Sequence, residues 1–171
     1  MAAFRDFFMA EHLRVRRFLR LCGFSTESAE DATQEAFMRA FTSWVSILNP
    51  PMWIRTVALR EARRRSARSM REWPVGQAGE LAQLGPELRA APDLENVEEA
   101  LSALNLLRQL PEAQAAVLAL DLDGFNVHEI AEILGTRMAT VRSNRRHALV
   151  RLRRIMEEEQ LFPSGPGRQA H

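Results

Sequence analysis

All 23 basic residues of this chain are arginines, and their placement is its main chemical resource. Seven fall in 52–71 against one acid, Glu61, and seven more in 137–154 against none. A guanidinium pairs with phosphate in a planar, two-pronged geometry and at suitable positions reads a guanine edge. The net charge is only +1, because 22 acids offset the cations elsewhere. Two separate cationic patches on a nearly neutral chain predict two contacts with a polyanion.

The remaining reactive residues do not form a catalytic set. His128, Glu129 and Glu132 sit close together, but a zinc helix needs a second histidine four residues after the first, and position 132 is glutamate. Four scattered histidines and the lone Cys22 provide neither a metal cluster nor an internal disulfide. Cys22 lies on an apolar stripe and reads as packing. No glycine-rich phosphate loop, nucleophile elbow or cysteine–histidine arrangement occurs. The chain is therefore read as a non-enzyme with no cofactor and no metal.

The second arginine patch needs a scaffold, and residues 124–152 provide one. Ala131, Gly135 and Val141 have the spacing of a helix-turn-helix. A small residue lets the first helix approach the second, and glycine accepts the left-handed conformation that ends a helix. Val141 turns back into the crossing, so the second helix can enter a major groove by its N-terminal end.

The rest also reads as helix. Phe4, Phe7, Phe8, Val15, Phe18, Leu19 and Cys22 follow a 3.6-residue stripe interrupted by Glu11, and Gly23 ends it. Ser25 caps a second helix whose buried face is Ala29, Ala32, Ala36, Phe37, Ala40, Phe41 and Trp44. Asn49-Pro50-Pro51 separates it from a third, over about 52–71. A Pro/Gly-rich stretch, acidic on balance, follows at 72–93 and reads as a flexible linker with one helical turn near Glu80–Leu84. Extended, it spans roughly 70 Å, about two turns of duplex. Asp93 caps a helix carrying Leu94, Val97, Leu101, Leu104 and Leu107. Pro111-Glu112 starts the next, and the last runs over about Met138–Gln160. The fold class is all-α: two small helical domains, 1–71 and 94–160, joined by a linker, with a disordered tail at 161–171.

With 171 residues, 46% of them hydrophobic, the chain has enough apolar material for packed cores. No run approaches the ~20 apolar residues of a membrane span. The first residues lack a secretion signal's apolar core, so no membrane is expected and cytoplasm is the default location.

Three blocks together resemble an extracytoplasmic-function sigma factor, the small promoter-recognition subunit of bacterial RNA polymerase. Residues 29–41, Ala-Glu-Asp-Ala-Thr-Gln-Glu-Ala-Phe-Met-Arg-Ala-Phe, are similar to the segment that docks on polymerase. Residues 51–58, Pro-Met-Trp-Ile-Arg-Thr-Val-Ala, and the arginines after them are similar to the segment for the promoter element near the start site. Residues 110–118, Leu-Pro-Glu-Ala-Gln-Ala-Ala-Val-Leu, with the following helix-turn-helix, are similar to the domain that reads the farther element.

The resemblance implies roles. Asp31, Gln34, Glu35 and Arg39 form the polar face that meets the RNA polymerase core. Asn49, in the loop 46–51 that helps capture a flipped base, and Arg55, Arg60, Arg63 and Arg64 contact promoter DNA near the start site. Thr140, Arg142, Ser143, Asn144 and His147 face the farther groove and Arg146 also binds its DNA, while Arg137 and Arg151 hold phosphates, which position without specifying. Trp44 and Trp53 keep the periodicity of the core. An anti-sigma protein is a further partner that the resemblance admits.

The sequence departs from the family pattern at three places. Arg145 falls on the apolar Val141–Ala148–Leu152 stripe, where its stem can lie along the surface and Leu149 can compensate. The order Arg146-His147 is inverted, and Leu59-Arg60 replaces a commoner arginine–asparagine pair. A positive surface is thus implied, but not the base sequence it reads. The alternative is a conventional helix-turn-helix regulator whose N-terminal domain senses a ligand or binds a partner.

Overall fold

The computed structural model describes residues 2–69 and 105–161, with side chains described over 2–68 and 105–158. The expected linker, the Asp93 cap with Leu94, Val97, Leu101 and Leu104, and residues 162–171 lie outside the described residues. Helix α1 spans Ala2–Leu21, α2 Thr26–Ser43 and α3 Pro50–Ser69, with a short 3-10 turn at Trp44–Ser46 before α3. Helix α4 spans Glu112–Leu122, α5 Val127–Leu134 and α6 Met138–Leu161. No strand occurs among the described residues, so the all-α expectation holds. Leu161, expected in the tail, is the last residue of α6.

Local signals account for the boundaries. Ser25 caps α2 by accepting the Ser28 N–H at 3.1 Å. Asn49 accepts the Met52 N–H at 3.3 Å, which places Pro50 and Pro51 in the first turn of α3. A missing N–H costs nothing there. Asn126 caps α5 by accepting the N–H groups of His128 at 2.9 Å and Glu129 at 3.1 Å. The Glu129 carboxylate accepts the Asn126 N–H in return at 2.8 Å, completing a capping box. Gly135 ends α5 at φ +63°, ψ +38°, the left-handed geometry that a helix-turn-helix turn requires.

In the N-terminal unit, α1, α2 and α3 bury Val15, Phe18, Leu19, Ala32, Ala36, Phe37, Ile54 and Ala58 between them. Alanines on α2 allow the close approach of α3, the most extensive helix packing among the described residues. The buried face of α2 differs from expectation at its end. Phe41 is 51% exposed and Trp44 is half-buried. Both rings instead stack edge-on against Phe4, at 5.2 Å each. Thr33, unexpected in the core, is buried because its hydroxyl donates to the Ala29 carbonyl at 2.7 Å. In the C-terminal unit, α4, α5 and α6 close over Ala116, Val117, Leu120, Ile130, Ala131, Val141 and Ala148.

All six residues from Ala115 to Leu120 are buried, so α4 is covered around its whole girth. One side faces α5 and α6, and the other packs on α1 of the N-terminal unit, while α3 also meets α5. The two units are therefore in contact.

Candidate nucleic-acid interface

Helix α6 presents one continuous polar and basic face. Arg137 in the turn, then Thr140, Arg142, Arg146, His147 and Arg151, are exposed, and Ser143 and Asn144 are half-exposed. The fully buried Val141 and Ala148 fix which side of α6 faces inward. Ala131, Gly135 and Val141 occupy the crossing as their spacing predicts. Arg145 departs from the stripe assigned to it. It swings outward to Asp121, 2.9 Å away, at the end of α4. Leu149 is exposed and does not fill the gap.

The first arginine patch is less uniform. Arg60 is exposed, and Arg63 is exposed but paired at 2.7 Å with Glu112 of α4. Arg64 donates twice to Glu61, at 2.9 and 2.7 Å. Asn49 is exposed at the head of α3 and also approaches the Met52 sulfur at 3.0 Å. Leu59 is buried and takes no part in the surface.

Arg55 is placed differently from the other expected DNA contacts. It is only 2% exposed, with its Nε and Nη2 donating to Asp123 Oδ2 at 2.9 and 2.7 Å. Its Nη1 donates to Glu11 at 2.8 Å, and its guanidinium lies 4.8 Å from the centre of the Phe125 ring. Arg17 donates to the other oxygen of Asp123. In this arrangement Arg55 offers nothing to solvent. Glu11, which interrupts the α1 stripe, is there to meet Arg55. Sequence reasoning missed Arg17, Asp123 and Phe125, and the acid on an apolar stripe was the one signal that pointed to them.

On α2, Gln34 and Arg39 are exposed and Asp31 and Glu35 half-exposed, on one face as expected. Arg39 pairs with Glu35 at 2.8 Å and with Glu61 at 2.9 Å, while Asp31 meets Arg65 of α3 at 2.8 Å. Burial raises the Glu61 carboxyl, but the Arg64 hydrogen bonds and the charges of Arg39, Arg64 and Arg65 outweigh it and hold it below the usual carboxylate range. Beside this face lies an aromatic groove of about 700 Å³ between α1 and α2, lined by Phe4, Phe8, His12, Phe37, Met38 and Phe41. Burial, reinforced by Arg16 and opposed by Glu30, lowers the His12 imidazole. Trp44 belongs to the same aromatic cluster, 5.1 Å from Phe7, and Trp53 packs partly buried on the core.

No group of histidine, cysteine and carboxylate side chains able to hold a metal occurs among the described residues, and no described helix is long and apolar enough to cross a membrane.

Residues 100–152 match the family model described as sigma-70, region 4, which covers α4, the helix-turn-helix and most of the basic part of α6. The chain is also 28% identical over 158 residues to the ECF RNA polymerase sigma factor SigM of Mycobacterium tuberculosis, in strains Erdman and H37Rv. That alignment covers 90% of this chain and 77% of the relative. The chain is thus similar to the extracytoplasmic-function sigma factors. A solved structure of the sigma factor RpoE of Bartonella quintana, in complex with the anti-sigma factor NepR, superposes with a TM-score of 0.70. It covers 92% of this chain and 98% of that one at 21% identity, a likeness that speaks for the fold. The conventional-regulator alternative is not favoured.

Proposed function

We propose that this sigma factor joins the RNA polymerase core through Asp31, Gln34, Glu35 and Arg39 on α2 and directs initiation at promoters with two separated elements. The observation that carries the reading is the match of the region 4 model to the helices that display the arginine-rich outer face of α6. In this reading Thr140, Arg142, Ser143, Asn144, Arg146 and His147 face the groove of the farther element. Arg137 and Arg151 hold its phosphates.

Near the start site, Asn49, Arg60, Arg63 and Arg64 meet the opened strand, and Arg55 joins them only when freed from Asp123. Unstacking a base costs a few kcal/mol, so strand opening needs no nucleotide hydrolysis if binding holds the opened strand. The chain itself catalyses nothing, uses no cofactor and works in the cytoplasm beside polymerase. An anti-sigma protein is a compatible partner, since the RpoE structure is a complex with one.

Run-off transcription with purified core polymerase tests this. The expected result is initiation at defined starts with no other sigma factor present. A chain that binds duplex but needs another sigma factor for initiation is a conventional regulator instead.

A further inference from the structure

Two readers of separated promoter elements must stand apart on the duplex, yet here the two units are locked together by buried charge. Asp123 ends α4 with its side chain 3% exposed. It accepts from Arg17 of α1 and Arg55 of α3, while Arg55 Nη1 donates to Glu11 and to the Pro51 carbonyl. Phe125 closes over the guanidinium, and at the rim Arg63 meets Glu112.

We propose that this cluster is a latch, with Asp123 standing in for a DNA phosphate on Arg55 and holding the free sigma factor in a closed, self-restrained state. The inference rests on the sigma-factor reading above. Two properties suit a reversible device. Buried ion pairs lose in desolvation about what they gain in attraction, so replacing them by solvent or phosphate contacts is close to balanced. The cluster is also imperfectly satisfied, with Arg17 Nη1 buried and without a hydrogen-bond partner. Deleting one partner is not balanced, because the others are then left buried and unpaired. Polymerase or promoter DNA that holds the units apart releases Arg55 to the duplex.

Small-angle scattering of the full chain tests the latch. Asp123→Asn and Glu112→Arg should each enlarge the radius of gyration with helical content unchanged. Asp123→Asn should shift the closed-to-open ratio by at least about tenfold. Should Asp123→Asn lose its helices, the rim variant decides the scattering arm. A second arm joins Arg63→Cys and Glu112→Cys with a cleavable bis-maleimide, which Cys22 escapes because it is buried. The locked chain should lose initiation at least about tenfold relative to the same chain after cleavage.

A chain equally compact with and without the latch overturns the proposal. So does a locked chain that initiates as well as the released one. If the parent chain neither joins polymerase nor initiates, the sigma-factor reading fails; in that case, or if the released variant is inactive through loss of Arg63, scattering alone judges the latch.

Discussion

Replacing Asn126 by alanine tests whether local capping or global packing holds the first helix of the DNA-reading motif. Helix α5 has eight residues, so its first turn is a large share of it. The substitution removes the oxygen that accepts two N–H groups, at 2.9 and 3.1 Å, and leaves the Glu129 bond to the Asn126 backbone in place. Water reaches the freed donors, so the loss is that of a cap, about 1 kcal/mol, and not of two buried hydrogen bonds. Calorimetry reads it out with extra information. If the two units melt as one, the midpoint falls by roughly 2–4 °C, whereas a C-terminal unit melting alone falls by roughly 4–8 °C. Asn126→Asp keeps an acceptor and adds charge where the helix dipole favours it, so it should melt within about 1 °C of the parent. An alanine variant that melts with the parent, or an aspartate variant as damaged as the alanine, refutes the capping argument.

Other expectations concern single groups. Asn144→Ala should weaken some promoter variants and spare others, by about 1–3 kcal/mol where a base is read, while Arg151→Ala weakens all alike and lowers the salt slope by about 1. Equal losses across a promoter panel for both variants would remove that division of labour. The Glu61 carboxyl is held low in the folded state, so its pairing stabilises the fold above the unfolded carboxylate pKa of about 4.3 and is lost as pH falls through the folded value. Urea midpoints of Glu61→Gln and the parent should therefore differ at pH 7 and converge in acid; a constant gap contradicts the linkage. Burial pushes the Cys22 thiol far up, so maleimide should label it only after unfolding, and rapid labelling of the native chain would show that α1 opens there.

The sequence by itself determined the helices, most of their ends and the basic outer face of α6. Those features arise from neighbours three or four residues apart: the Ser25 cap, the Gly135 turn, and the Val141–Ala148 stripe that orients the arginines. It also placed the α2 polar face correctly, because buried alanines and exposed acids alternate along a single helix. Only the tertiary structure decided which arginines are free. Arg55 looks like its neighbours in the chain, yet its acceptor Asp123 lies 68 residues away, and Arg17 reaches the same carboxylate from 106 residues away. Phe41 and Trp44 were legible as apolar but not as a half-open aromatic cluster, since that depends on where Phe4 of α1 arrives. A charge announces its partner locally only when the partner lies within a turn of the same helix. Across packed units the pairing is set by where whole helices come to rest.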